Sequence, residues 1–264
     1  MRRSALLTLS FCLLATGAAE SRKAGYRTVV NDGVKATVSW SKGVGPLGDD
    51  PRVTITRDGI REVDHRRLRR LCELCTSVVR PRTALHVRDL DSDGEPEVVV
   101  DLFSGGAHCC WSTIVFVPKD GTYKARLAQW GNAGYVLEDL DENGAPEFAT
   151  TNDAFSSAFT SYAASYRPPQ YFSLIGQKLV DRTRDFPMLV SADIMAIDAL
   201  LDQYRGEEGA ELEGLIASRM ADLALLGRET EIRPYLDMAR RRGDTKANFK
   251  NALLKFLRES GYIE

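Results

Sequence analysis

The chain has little of the chemistry that marks a nucleic-acid binder or the common enzyme classes. Its 35 lysine and arginine residues nearly balance 37 aspartate and glutamate residues, which leaves a formal net charge of −2. A charge this small gives no broad positive field that would attract nucleic acid. The sequence also contains no Gly-x-Ser-x-Gly motif, no P-loop and no dinucleotide-binding fingerprint. These absences argue against the enzyme classes that depend on those motifs.

Histidine is scarce as well. The chain contains only His65, His86 and His108. Their spacing suits neither a metal-binding helix nor a catalytic triad. We therefore take none of the three as a catalytic residue.

Long apolar runs are missing beyond the N-terminus. Arg2 and Arg3 precede an apolar run at residues 5–14, and small residues follow up to Ala19. This order is typical of a cleavable secretory signal peptide over residues 1–19, and the run is too short for a permanent membrane span. Removing the two arginines leaves 33 basic against 37 acidic residues, a net charge of about −4. We expect a periplasmic or secreted protein with no transmembrane segment after cleavage.

Two acidic stretches fifty residues apart carry the strongest signal. Residues 89–97 read Asp-Leu-Asp-Ser-Asp-Gly-Glu-Pro-Glu, and residues 139–147 read Asp-Leu-Asp-Glu-Asn-Gly-Ala-Pro-Glu. We call them the first loop and the second loop. Each has oxygen-bearing side chains at positions one, three and five, glycine at six and glutamate at nine. Because Ca2+ takes about six to eight oxygen ligands and glycine permits the sharp turn, the pattern predicts two Ca2+ loops. Position seven, Glu95 or Ala145, would offer its backbone carbonyl.

Two other interpretations of these loops need weighing. Asp-Gly and Asn-Gly turns are common between strands that bind no metal. Carboxylates could also act as general acid and base, but a glycosidase pair needs one raised pKa and a cleft, which this pattern does not imply. Clustered carboxylates repel one another, and a bound cation relieves that repulsion. The two copies at a fixed period therefore favour a structural metal role.

The cysteines indicate disulfide bonds. Cleavage of the signal peptide removes Cys12 and leaves Cys72, Cys75, Cys109 and Cys110. An even number in an exported protein usually means disulfides, and we expect Cys109 and Cys110 each to pair with Cys72 or Cys75. A zinc site that includes His108 is an alternative. A redox-active Cys72/Cys75 pair is another, although the helical pattern begins before Cys72 rather than after it.

The order of local patterns predicts an α+β fold. Alternating and β-branched segments fill residues 20–186 and predict a mainly antiparallel β region, whereas residues 187–264 carry apolar stripes typical of about four helices. A short helix is also expected over residues 63–79, and a strand over residues 163–166. The β region could be an open sheet, a sandwich or a partial propeller.

The loop pattern, followed each time by a strand, resembles the calcium loop of FG-GAP/VCBS-type repeats, which form propeller blades in integrin α-subunits. The resemblance covers two repeats, at about residues 84–130 and 134–180. Two repeats cannot close a propeller of the usual ~4 to 8 blades. The resemblance implies these side-chain ligands: Asp89, Asp91, Asp93 and Glu97 for one ion, and Asp139, Asp141, Asn143 and Glu147 for the other.

These features predict an exported, non-catalytic, Ca2+-binding repeat protein that serves recognition or adhesion in the cell envelope. Its partner would be a protein or glycan, and no nucleic acid is expected. Two enzyme alternatives stay open: a thiol–disulfide oxidoreductase using Cys72 and Cys75, and a hydrolase whose site the sequence does not mark, on the surface of residues 104–108 or at the junction of the β region and the helices.

Overall fold

The protein is a β-rich unit followed by helices, which confirms the predicted α+β class. The computed structural model describes residues 24–41, 51–65, 68–72, 77–78, 84–106 and 109–264. These residues form three antiparallel β-sheets and then four α-helices. The predicted signal peptide lies outside the described residues.

The first sheet is a four-stranded meander in which each strand pairs with the next along the chain. Its strands are β1 (Gly25–Asn31), β2 (Val34–Trp40), β3 (Arg52–Arg57) and β4 (Ile60–His65). In β2, Val34, Ala36 and Val38 are fully buried, whereas the residues between them are more exposed. This alternation follows from the two-residue period of a strand and gives the sheet one apolar face.

The second sheet has a meander of four strands with one additional short strand. Its strands are β5 (Ser77–Val78), β6 (Leu85–Arg88), β7 (Glu97–Gly106), β8 (Cys109–Lys119) and β9 (Thr122–Gly131). Both β5 and β6 pair with β7, which pairs with β8, and β8 with β9. The first loop connects β6 to β7.

The third sheet repeats the four-stranded meander. Its strands are β10 (Val136–Glu138), β11 (Glu147–Thr151), β12 (Pro169–Ile175) and β13 (Lys178–Asp181), in that order. The second loop connects β10 to β11. The two acidic loops therefore occupy the same place in successive sheets.

The second sheet lies between the other two. Val98, Val100 and Phe116 on one of its faces belong to a core shared with the first sheet. Val99 and Val115 point to the opposite face and join a second core, with residues of the third sheet. Because neighbouring residues of a strand face opposite sides, β7 and β8 can be apolar throughout and bury both faces. The three sheets stack, and within the described residues they do not close into a ring.

Two local predictions were wrong. The described residues of the segment 63–79 do not form the predicted helix: β4 runs to His65, a 3-10 turn covers Leu68–Arg70, and β5 begins at Ser77. Residues 163–166 are not a strand, because a 3-10 turn covers Tyr162–Ala164. In both segments the apolar residues are buried by neighbouring elements, so their spacing does not indicate a helix or a strand. Leu68, for example, is fully buried in the core shared with the first sheet.

The helices pack around a central member. They are α1 (Pro187–Tyr204), α2 (Glu213–Leu225), α3 (Ile232–Arg242) and α4 (Phe249–Glu259). Nearly every residue of α2 is buried, as expected for a helix surrounded by others. Within the described ranges, no helix combines the length and the apolar character needed to cross a bilayer.

Aromatic and polar contacts join the helices to the third sheet. Phe155, which follows β11, makes edge-to-face contacts with Phe256 and Tyr262, with ring centroids 4.9 and 5.7 Å apart. Arg184, which follows β13, donates hydrogen bonds to the carbonyl oxygens of Ala224 at 2.7 Å and Leu225 at 3.1 Å. These carbonyls lie at the end of α2, where the Ala224 oxygen also accepts a hydrogen bond from Gly227 N at 3.1 Å. Arg184 therefore adds a cap from the β region to this helix end.

Replacing this cap is expected to destabilise the protein modestly. Arg184→Gln removes charge-assisted hydrogen bonds and should lower the free energy of unfolding by about 1–2 kcal/mol, because water can reach part of the site. Chemical denaturation measures the change. Arg233→Gln, on an exposed position of α3, is the control and should change stability by less than about 0.5 kcal/mol. Equal effects of the two variants would contradict the capping role.

Candidate metal sites

The two acidic loops are the connections of two β-hairpins. The first loop lies between paired strands that meet at Arg88 and Glu97, and the second between strands that meet at Glu138 and Glu147. The last glutamate of each loop is therefore also the first residue of a strand. This position fixes its side chain against the sheet while the other acidic residues stay in the turn.

Both loops adopt the same backbone conformation. At position four, Ser92 and Glu142 have φ values of 59° and 58°, and at position six, Gly94 and Gly144 have 88° and 91°. A left-handed residue other than glycine costs about 1–2 kcal/mol. The loops share this unfavourable feature, so their side chains must stabilise it.

The acidic side chains stabilise the turn through backbone N–H groups. The Asp89 carboxylate accepts a hydrogen bond from Gly94 N at 2.9 Å, and Glu97 Oε2 accepts one from Leu90 N at 2.8 Å. The second loop repeats both bonds: Asp139 accepts from the N–H of Gly144 at 2.9 Å, and Glu147 accepts from that of Leu140 at 3.0 Å. The same contacts in both loops make them two copies of one structure.

Three carboxylates converge in each loop. In the first loop, Asp89, Asp91 and Glu97 each offer an oxygen atom, and these atoms lie within 4.8 Å of one another. In the second loop, Asp139, Asp141 and Glu147 do the same. Each triad can hold a metal ion, because carboxylate oxygens this close are the donor set of a hard cation.

The structure places the other predicted ligands outside the triads. The side chains of Asp93 and Asn143 accept hydrogen bonds from the backbone N–H groups of Glu95 and Ala145, at 2.8 and 2.7 Å. The Glu95 carboxylate pairs with Arg57 of the first sheet at 3.3 Å. Position five therefore holds the turn with one of its oxygens, and the Glu95 side chain connects the loop to the neighbouring sheet.

The first loop contains buried carboxylate oxygens without hydrogen-bond donors. Asp91 Oδ1 and Glu97 Oε1 are buried and have no partner, and Glu97 is fully buried. The pKa of Glu97 is raised to about 8, chiefly by burial and in part by the neighbouring charges of Asp91 and Asp93. Burial also raises the pKa of Asp91. Burying such carboxylates without partners costs free energy unless their charge is neutralised. This loop therefore fits a cation that both oxygens would coordinate.

The second loop is better satisfied. Glu147 Oε1 accepts a hydrogen bond from Ser173 Oγ at 3.1 Å, and Asp141 is exposed to solvent. Its triad therefore has less unfavourable energy for a cation to remove. We expect the first loop to bind a metal ion more tightly than the second.

Comparison with known proteins finds two relatives but no described family. No protein-family model and no solved structure matches the chain. A protein named probable thylakoid lumen protein, from Synechocystis sp., is 28% identical over 210 residues, which are 70% of this chain and 62% of that protein. An uncharacterized protein from Sinorhizobium fredii is 31% identical over 88 residues, 33% of this chain and 14% of its own length. The chain thus spans less than two thirds of either relative.

The predicted cysteine site is only partly within the described residues. Cys72 and Cys110 are disulfide-bonded. Cys75, His108 and the side chain of Cys109 lie outside the described residues, so the pairing stays a prediction. Cys72 follows a 3-10 turn and is buried. It does not open a helix after a strand, which is the usual position of a redox-active Cys-x-x-Cys pair.

Sequence reasoning missed a buried pair of carboxyl groups between the helices. Tyr166 donates a hydrogen bond to Asp193 Oδ1 of α1 at 3.0 Å, whereas Asp193 Oδ2 and both carboxyl oxygens of Asp222 in α2 are buried without a donor. Asp222 is fully buried. Burial raises the pKa of Asp222 to about 9, and the charge of Asp193 adds to the shift. At neutral pH the pair therefore holds one shared proton.

A signal for this pair was present in the sequence. Asp222 stands between Ala221 and Leu223 within the apolar pattern of α2. A helix that is apolar on every side is buried on every side, so an aspartate within it must be buried too. The identity of its partner could not be read from the sequence, because Asp193 lies on a different helix.

Proposed function

We propose that this chain is an exported, non-catalytic Ca2+-binding protein whose stacked sheets serve recognition in an extracytoplasmic compartment. The observation that carries the proposal is the duplicated acidic loop: two turns with the same φ values, the same hydrogen bonds and the same carboxylate triad. The buried, unpartnered oxygens of Asp91 and Glu97 favour an ion in the first loop.

The ion we propose is Ca2+. The donors are carboxylate oxygens, with no histidine in either triad, and oxygen-only sites suit hard cations rather than zinc. Asp89, Asp91 and Glu97 would hold one ion and Asp139, Asp141 and Glu147 the other. The bound ion supplies positive charge that neutralises each triad. The protein's own part is to fix the strand that starts at Glu97 or Glu147 against the turn that precedes it.

Two further points support the wider proposal. The first relative is named as a probable protein of the thylakoid lumen, a compartment outside the cytoplasm, which agrees with an exported chain. Each acidic loop also opens a four-stranded meander in the stack. That arrangement supports a relationship to FG-GAP/VCBS repeats, with two blade-like units rather than a complete propeller.

Glu97→Gln tests this proposal, because its expected effect on protein stability has opposite signs in chelator and in calcium. Glutamine keeps an acceptor for Leu90 N but cannot ionise. In chelator the variant should be more stable than the wild type by about 1–3 kcal/mol, because a buried group without partners carries a desolvation penalty of that size. In calcium it should be less stable, because it lacks a charged ligand. Thermal unfolding in both buffers measures the two differences.

Glu147→Gln is the matched control. Its carboxylate already accepts hydrogen bonds from Ser173 and Leu140, so removing its charge should give no gain of stability in chelator. It should still weaken stabilisation by calcium. If Glu97→Gln is destabilised equally in calcium and in chelator, the first loop does not act as a cation site.

A further inference from the structure

Three edge strands from three different sheets meet around one groove. Strand β1 is one edge of the first sheet, β6 lies at an edge of the second, and β10 is one edge of the third. Residues of all three line a groove of about 930 Å3. Pockets of roughly 300–1,000 Å3 are the usual size for small ligands. The groove is separate from the acidic triads, although Arg88 at its wall immediately precedes the first loop.

The groove carries positive charge that no acidic group in the described part of the chain neutralises. Arg27 of β1 and Arg88 of β6 line it, and neither has an ion-pair or hydrogen-bond partner within the described residues. The Nε atom of Arg27 is buried and unpartnered. A buried guanidinium N–H without an acceptor is unfavourable, so a ligand oxygen at this point would remove a cost that the free protein carries.

Among the described residues, one carboxylate lines the groove, that of Asp101, and it already has hydrogen-bond partners. Asp101 Oδ1 accepts hydrogen bonds from the hydroxyls of Thr113 at 2.7 Å and Tyr135 at 2.8 Å. Its Oδ2 lies 3.9 Å from His86 Nε2, and Asp101 itself is buried. The Asp101 carboxylate is thus bound by Thr113 of its own sheet and by Tyr135, and it makes no ion pair with Arg27 or Arg88. Both guanidinium groups are thus available to a ligand.

We propose that this groove binds a small molecule bearing an oxyanion, a carboxylate or a phosphate, through Arg27 and Arg88. The planar guanidinium fork matches these groups and binds them through two parallel hydrogen bonds. His86, beside Asp101, lies on the same wall and can donate a further hydrogen bond. The apolar side chains of Val29 and Leu137 line the remainder, so the ligand carries an uncharged part as well. The inference names the ligand class for the recognition role proposed above and in that respect depends on it.

Calorimetric titration of the full chain in metal-free buffer tests the groove, because phosphate and citrate themselves bind Ca2+ and would obscure the heat of binding to the protein. The probes are inorganic phosphate, citrate and D-glucuronate, with D-glucose as the neutral counterpart of glucuronate, at up to about 10 mM. We expect at least one oxyanion to bind and glucose not to bind. Arg27→Gln and Arg88→Gln should each weaken the affinity for that oxyanion about tenfold or more, because each removes charge-assisted hydrogen bonds. Phosphate and the carboxylates together show which oxyanion is preferred.

Arg233→Gln is the control, because Arg233 is an exposed arginine on α3, outside the groove. It should leave the affinity unchanged within a factor of about two. Arg88 is exposed, so its variant gives an answer even if the half-buried Arg27 is needed for folding. The proposal is overturned if no oxyanion binds, if glucose binds as well as glucuronate, or if the groove variants match Arg233→Gln.

The same samples separate this proposal from the calcium proposal. If calcium stabilises the protein but no oxyanion binds, only the groove is rejected. If oxyanions bind through the arginines while calcium has no effect on stability, only the metal sites are rejected.

Discussion

Calcium is expected to raise the free energy of unfolding by about 5 kcal/mol over its value in chelator, since an ion at 100 times its dissociation constant contributes about 2.7 kcal/mol per site. The reason is the repulsion that each triad carries when no cation is present, which is strongest where Asp91 and Glu97 have buried oxygens without partners. For a chain of this size about 1 kcal/mol corresponds to about 2–4 °C, so the melting temperature should rise by roughly 10–20 °C. Differential scanning calorimetry with and without chelator measures the shift.

The variant Asp91→Ala with Asp141→Ala should lose most of this shift. It removes one carboxylate from each triad and should unfold at nearly the same temperature in both buffers. A matched control removes two exposed carboxylates of the helices, Asp202→Ala with Glu259→Ala, and should keep the full calcium effect. Equal destabilisation of the loop variant in calcium and in chelator would mean that these residues only shape the turns.

The second large effect is expected at the buried carboxyl pair. Asp222→Asn should raise the free energy of unfolding at pH 8, by an amount on the order of 3 kcal/mol. The pKa of Asp222 is raised to about 9 in the folded protein, from an ordinary value of 3.8, so folding favours the protonated form. Asparagine is neutral at every pH, and its amide can donate to the buried Oδ2 of Asp193, which has no protein donor.

The sign of the pH dependence follows from the raised pKa. A carboxyl group whose folded-state pKa exceeds its unfolded value contributes its full stability below about pH 4 and loses it as the pH rises towards 9. The advantage of Asp222→Asn should therefore grow from acid to pH 8. Denaturation at several pH values in constant calcium measures this advantage. The control is Asp202→Asn, at an exposed position, whose free energy of unfolding should vary with pH as that of the wild type does. An advantage independent of pH would rule out a shared proton.

The features that could be predicted from the sequence are the local ones. The spacing of Asp89, Asp91 and Glu97 determines a turn and a donor set within nine residues, and the structure brings these three side chains together. Alternating Val34, Ala36 and Val38 likewise predict a strand with one buried face, because the period of two is a property of the backbone.

The features that could not be predicted depend on residues far apart in the chain. The groove unites Arg27, Arg88 and Leu137, which belong to three sheets, and no sequence pattern predicts that the edges of three sheets will meet. The failure at residues 63–79 has a related cause: Leu68 is buried by the first two sheets, so its apolar character does not indicate a helix. In both places tertiary packing outweighs the local pattern.

A calorimetric titration with Ca2+ tests the central claim, that each acidic loop is a cation site, most directly. The wild-type chain, stripped of metal, should bind two ions per molecule, with the tighter event in the first loop. Asp91→Ala should leave one ion, at the weaker affinity of the second loop. A folded protein that gives no saturable heat with Ca2+, or an Asp91→Ala variant that still binds two ions, would contradict the account.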